Sequence, residues 1–211
     1  MQRSPAAKNL CNQLLRYRSQ LRPEKIPPCD VFVNHRGIDT KRNVAGLLYD
    51  HLRRLRLRPF LDSKNMKPGD KLFEKIDPAI RNCKVGVAVF SPQYCDSYFC
   101  LHELALMMEC KKKVVPIFCD VKPSELAVRD SMARIYPAED MEKFRLALQE
   151  AKFTVGLTFD TVNGDWSEFL TSATEAVIKN IIEVEGDKMM RNKRMNSWHQ
   201  KTAMRQRGSP N

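Results

Sequence analysis

Nothing in the chain matches G-x-G-x-x-G, G-x-x-x-x-G-K-[ST] or G-x-S-x-G, and only eight glycines in 211 residues are available to build such loops. Dehydrogenases, P-loop kinases and serine hydrolases of the nucleophile-elbow type lose their main support. Histidine is scarce too: there are four, and the seven cysteines (Cys11, Cys29, Cys83, Cys95, Cys100, Cys110, Cys119) include no C-x-x-C pair. No zinc-ligand spacing results, and no metal site is expected. The odd cysteine count, with no hydrophobic signal core near Met1, predicts free thiols. No apolar run approaches the ~20 residues that span a bilayer, so a soluble cytoplasmic protein is expected.

Acidic residues are missing from both ends. Residues 1–23 carry five basic groups, and residues 188–211 carry seven (Lys188, Arg191, Lys193, Arg194, Lys201, Arg205, Arg207), with no acid in either stretch. Setting these twelve aside from the 36 Lys and Arg leaves 24 against 25 Asp and Glu, so the formal charge of +11 belongs to the tails. The division expected is a basic, disordered extension over 1–26, one domain over 27–186 and a basic, disordered tail over 187–211. Such tails suit nucleic acid or an anionic membrane, although without interleaved aromatics a merely solvated tail fits better. The Arg-containing, acid-free N-terminus also admits an organelle-targeting reading, and a basic tail admits nuclear entry.

What is present between the tails is an alternation of strands and helices. Short β-branched or aromatic runs predict strands at 29–33, 58–62, 85–90 and 114–120, with a fifth at 155–159. Val85 to Phe90 is apolar throughout, as in a central strand covered on both faces. Three- and four-residue spacing predicts helices through Val44–Leu55, Leu72–Ile80, Leu101–Met108, Met141–Ala151 and Trp166–Val184, with Asp165 capping the last and Gly186 ending the ordered body. Lys111 to Lys113 suit the C-terminal pole of the third helix. Pro116 hints at an irregular place in the fourth strand.

Alternation of this kind specifies a parallel sheet wound by right-handed crossovers, and five strands fit the flavodoxin-like order 2-1-3-4-5 with helices on both faces. Ligands in such sheets bind beyond the carboxyl ends of the strands, where the winding reverses between strands 1 and 3. The loops at 34–40 and 91–103 meet there, and the loop at 63–70 leaves the same edge as a lid. They bring Glu103, Arg36, the Thr40 and Ser97 hydroxyls, Tyr98 and Phe99 to one crevice, a set able to hold a nucleotide. Each has a plainer reading. Glu103, off the Leu101/Leu104/Met108 face, suits a first-turn acid favoured by ~0.3–1 kcal/mol of helix dipole as well as a cleft carboxylate. Arg36 suits an ion pair with Asp39 or Asp62 as well as phosphate, the two aromatics suit packing, and His35 and His102 suit exposed or structural roles.

The run Asp30-Val31-Phe32-Val33-Asn34-His35-Arg36-Gly37-Ile38-Asp39-Thr40 resembles the opening of plant-type TIR (Toll/interleukin-1 receptor) domains. Phe60-Leu61-Asp62 with Gly69-Asp70, Ala79-Ile80, Val89 to Tyr94, Cys100-Leu101-His102-Glu103-Leu104 and Pro116 to Ser124 follow in that family's order over about residues 29–184. With no nucleotide-binding or leucine-repeat region after it, a TIR-only protein is expected. The resemblance implies the five-stranded flavodoxin-like fold. It also implies cleavage of NAD⁺, or of NADP⁺, to nicotinamide and ADP-ribose or its cyclic variants as immune and cell-death signals, with activity dependent on self-association. NAD⁺ is then substrate and no cofactor is needed. Glu103 maps onto the family's catalytic glutamate, and Arg36 and Gly37, with Ser97 and Phe99, fall at the substrate.

Three positions depart from the family pattern. Phe99 replaces a Trp and loses the indole donor, His35 replaces an aromatic, and Gly46-Leu47 replaces the Ser-His pair of a helix–helix self-association surface. These changes sustain a second reading, a TIR adaptor that binds other TIR domains without turnover.

Overall fold

The computed structural model describes residues 29–207, with side chains as far as 195. The expected N-terminal extension over 1–26 lies outside the described residues. Five parallel strands run β1 (Val31–His35), β2 (Pro59–Phe60), β3 (Val85–Phe90), β4 (Lys113–Cys119) and β5 (Leu157–Phe159). Their order is β2-β1-β3-β4-β5, the order expected. The long helices between and after them are α1 (Val44–Arg54), α2 (Leu72–Asn82), α3 (Tyr98–Glu109), α4 (Ala138–Phe153) and α5 (Trp166–Arg207).

Side-chain alternation divides the core into two layers. Val31, Val33, Val85, Val87, Val89, Val115 and Ile117 face one way, into a cluster with α1 and α5. Phe32, Ala88, Phe90 and Phe118 face the other, into a cluster with α2, α3 and α4. Aromatic stacking reinforces that second layer, with Phe32 on Phe60 at 5.5 Å and Phe90 on Phe118 at 5.3 Å. Gly86 sits among them because α3 comes very close: a Cβ on Gly86 would lie 2.3 Å from the Met107 sulfur.

Several boundaries differ from the sequence expectation, each for a physical reason. β1 extends to His35 instead of stopping at Val33, so Asn34 and His35 are strand residues paired opposite Ala88 and Val89. Buried polar side chains are tolerated in a strand when their hydrogen bonds are met, and both are. β2 shrinks to an edge pair at Pro59–Phe60, since proline lacks a ladder donor. Pro116 is accommodated inside β4 because β5 pairs only from Ile117 onward, leaving that stretch of β4 with one neighbour. Lys112 reaches back to the Arg81 and Cys83 carbonyls at 2.7 and 2.8 Å and so serves the end of α2, not α3.

Asp165 caps α5 as expected, accepting from the backbone N–H groups of Ser167 and Glu168 at 2.8 and 2.9 Å. The helix then runs through Gly186 to Arg207, where a tail without structure is expected. One glycine costs a helix about 1 kcal/mol, and the Lys, Met and Arg residues that follow are good helix formers. Core contact ends near Ile181 and Val184, and Lys188, Arg191, Lys193 and Arg194 are exposed.

Asp30, buried at the start of β1, is gripped by the Arg58 guanidinium at 2.7 and 2.8 Å, with Lys84 at 3.0 Å. The Arg58 hydrogen bond, against burial and with help from Lys84, lowers its carboxyl to about 2. A depressed carboxyl stabilises the fold above its unfolded value near 3.8 and loses that contribution as pH falls toward 2. Asp30→Asn is therefore expected to cost on the order of 1–2 kcal/mol at pH 7, discounted for the exposed Arg58. Thermal melts should show the gap closing by pH 2.

Candidate functional site

The loops after β1 and β3 do meet. Asp39, in the helical turn Gly37–Thr40, accepts from the Ser91 hydroxyl at 2.6 Å and from the Gln93 N–H at 3.0 Å. The loop after β2 joins them through Asp62, whose Oδ1 lies 3.2 Å from His35 Nε2. Thr40 gives its only hydroxyl proton to the Arg36 carbonyl, so His35 Nδ1 donates to Thr40, at 3.0 Å. Burial pushes the Asp62 carboxyl up, but the hydrogen bond and charge of His35 outweigh it and leave it below the ordinary range. Of the two histidines, His35 anchors this turn, and His102 lies 3.5 Å from Asp77.

Glu103 occupies the floor of this junction, partly buried on α3. Its Oε2 accepts from Asn34 Nδ2 at 2.8 Å, and the same nitrogen donates to the Cys100 carbonyl at 3.1 Å. Burial pushes the Glu103 carboxyl up to about 8; Asn34 opposes the shift, and the charges of Asp62 and Asp77 add to it. A dipole-favoured surface acid does not behave this way. It is a desolvated carboxylate, of the kind found in functional clefts.

Arg36 pairs with neither Asp39 nor Asp62. Among the described residues its guanidinium has no ion pair, and its buried Nε has no hydrogen-bond partner. The charge is near the site, since its field reaches the Cys100 thiol beside Glu103. Gly37 follows with open space around it, nothing lying within 4 Å of where a Cβ would be. Phe99 is 47% exposed and tilts against Phe73 of α2, itself 44% exposed, with ring centroids 5.8 Å apart. Phe73 also meets His102 edge-on at 5.1 Å. These rings form an apolar wall that begins at Phe99, one turn before Glu103 on α3.

Ser97 has a structural role. Expected as a substrate hydroxyl, it is the N-cap of α3: it is buried, and its oxygen accepts the Cys100 N–H at 3.3 Å. Asn34, Tyr94, Asp62 and Phe73 were not among the expected site residues. The polar Asn inside an otherwise apolar strand was the one available signal. Concave space elsewhere, such as a groove of about 450 Å³ between Tyr49, Arg53, Arg56 and Phe60, is lined by none of Glu103, Arg36 and Phe99.

A sequence model of the TIR domain matches residues 29–207. The chain belongs to the TIR domain family. This TIR domain is 51% identical over 158 residues to a Brachypodium distachyon protein named probable 2′ cyclic ADP-D-ribose synthase, a match that covers 74% of this chain and 70% of that one. It is 33% identical over 136 residues to TMV resistance protein N of Nicotiana glutinosa, covering 58% of this chain but only 12% of that much longer protein. Among solved structures it matches the TIR domains of the activated Roq1 resistosome, which directly recognises the effector XopQ. The TM-score is 0.62 at 27% identity, over 71% of this chain and 99% of that one.

On the helix surface where Gly46-Leu47 stands in place of the family's Ser-His pair, Gly46 is pressed against the backbone: a Cβ there would lie 2.7 Å from the Lys41 carbonyl oxygen. Serine does not fit without a shift of the turn before α1. Leu47 beside it is 42% exposed.

The cap and the carboxylate give opposite expectations for stability. Ser97→Ala should lower Tm by about 2–4 °C, the usual effect of losing an N-cap worth ~1 kcal/mol in a domain of this size. Glu103→Gln should do the reverse. A carboxyl raised from the ordinary 4.5 to about 8 costs stability once the unfolded chain is charged, so the cost grows between these pH values. The Gln variant is expected to melt about 5 °C or more above the parent at pH 8 and together with it at pH 4, by scanning calorimetry.

Proposed function

We propose that this TIR domain cleaves the nicotinamide–ribose bond of NAD⁺, releasing nicotinamide and forming ADP-ribose or a cyclic ADP-ribose. The observation that carries this reading is Glu103, a desolvated carboxylate held by Asn34 where the loops after β1 and β3 meet, with Arg36, whose buried Nε lacks a partner, in the first of these loops and the exposed Phe99 one turn earlier on α3. The kinship to a named cyclic ADP-ribose synthase supports the same chemistry.

The residue types suit the reaction. Nicotinamide leaves as a neutral molecule from a cationic ring nitrogen, so no general acid is needed. As the C1′–N bond breaks, positive charge builds on the ribose, and the Glu103 carboxylate stabilises it. Water or a hydroxyl of the same ADP-ribose then attacks C1′. Its proton passes to Glu103, whose raised affinity for protons suits that second task. Arg36 holds the pyrophosphate as a charge-assisted donor, Gly37 leaves room beside it, and Phe99 with Phe73 stacks on an aromatic ring of the substrate. NADP⁺ is the alternative substrate, and no cofactor is invoked.

Self-association completes the site. The Asp62–Asn65 turn is anchored through His35, and the loop after it to Asp70 is free to meet a neighbouring copy. With Gly46-Leu47 on α1, contact there is drier than a Ser-His pair would make it.

Purified protein at high concentration should release nicotinamide from NAD⁺, followed by chromatography. Glu103→Ala should reduce the rate by about 10²–10³-fold, as for loss of one preorganised electrostatic group. Arg36→Ala should raise KM about tenfold. Equal turnover by parent and Glu103→Ala overturns the assignment. No turnover at any concentration, with binding to another TIR domain retained, leaves the adaptor reading in its place.

A further inference from the structure

Asn34 is fully buried in the middle of a parallel sheet, where an amide is costly unless its hydrogen bonds are met. All of its partners come from the α3 side. Nδ2 donates to the Cys100 carbonyl at 3.1 Å and to Glu103 Oε2 at 2.8 Å, and Oδ1 accepts the hydroxyl of Tyr94. Tyr94 is itself buried and set edge-on to Phe90 at 4.7 Å. A backbone carbonyl accepts and never donates, so the Cys100 contact fixes which end of the amide faces α3. The flipped amide would set oxygen against oxygen at the Cys100 carbonyl, and against Glu103 whenever its carboxyl is charged.

We propose that Asn34 is the positioning residue for Glu103: it holds Oε2 with an N–H whose direction the fold dictates, leaving Oε1 for the substrate, while Tyr94 braces Asn34. This rests on Glu103 being catalytic, as argued above. The surroundings make the N–H matter. Asp62 from the turn after β2 and Asp77 from α2 both disfavour the charged form. Tyr94 and the Cys100 thiol are buried and held neutral, the latter pushed up to about 12, and the Arg36 charge acts on Cys100. Asn34 is the group that favours the carboxylate.

The test titrates the Glu103 side-chain carboxyl by ¹³C NMR in the parent, Asn34→Ser and Tyr94→Phe, alongside kcat/KM for NAD⁺ from pH 5 to 10. Serine is too short to reach Oε2. Asn34→Ser should move the carboxyl midpoint and the acid limb of kcat/KM upward by about one pH unit. Activity should fall roughly tenfold at pH 6, with most of the loss recovered at pH 10. Tyr94→Phe should move both the same way by less. An unmoved midpoint with the same loss at every pH means that Asn34 only supports the fold, and overturns the inference. If the parent releases no nicotinamide, the enzymatic reading fails, and the NMR midpoint still decides whether Asn34 governs Glu103. Should Asn34→Ser not fold, the near-isosteric Tyr94→Phe decides alone, and an unmoved midpoint there overturns the inference.

Discussion

The close approach of α3 to the sheet, permitted by Gly86, is the constraint on which the site depends. With Met107 where any side chain on Gly86 would lie, the helix drops far enough for an amide on β1 to reach two groups of α3, Cys100 and Glu103. A side chain at 86 would have to displace the Met107 thioether, a flexible chain end, and so would loosen the packing of α3 on β3. Core packing and site geometry are here one contact seen from two sides.

The charges of the cleft are poorly matched to one another, and the proposed dinucleotide substrate would answer the mismatch. Asp62 and Asp77 crowd a carboxylate that among the described residues has no cation paired to it, while Arg36 keeps an unmet donor on the adjoining loop. A ligand with a cationic ring at one end and a pyrophosphate further along, as proposed above, would relieve both mismatches at once. The protein keeps this tension at a cost in stability, as functional sites commonly do. What holds the tension in place is the rigid frame around it, namely the Asp39 link between loops and the His35–Asp62 anchor.

Much of this was legible in the chain. Alternating apolar runs gave the strand order, and Asp165 announced its helix. The position of Glu103 at the winding reversal marks the cleft in the sequence itself. What stayed hidden depends on distant partners. Asn34 and His35 look like loop residues because polar side chains at the end of a run normally end a strand; they belong to β1 only because Tyr94, Glu103, Thr40 and Asp62 meet them in space. Ser97 and Phe73 were misjudged or missed for a related reason. A hydroxyl before a helix reads alike as cap or ligand, and an aromatic on a helix face reads as core until its exposure is known. Gly186 shows the opposite error, a stop signal overridden by the good helix formers after it.

That override has a geometric consequence. α5 begins at the edge of the sheet that carries the cleft. It crosses to the opposite edge, where Glu183 and Glu185 tie it to Lys113 and Lys84 at the starts of β4 and β3. From there residues 187–207 continue for about 30 Å at 1.5 Å per residue, a positively charged spar pointing away from the catalytic mouth. Whatever takes hold of that spar grips the molecule by a handle: the mouth stays unobstructed and faces outward from the point of attachment.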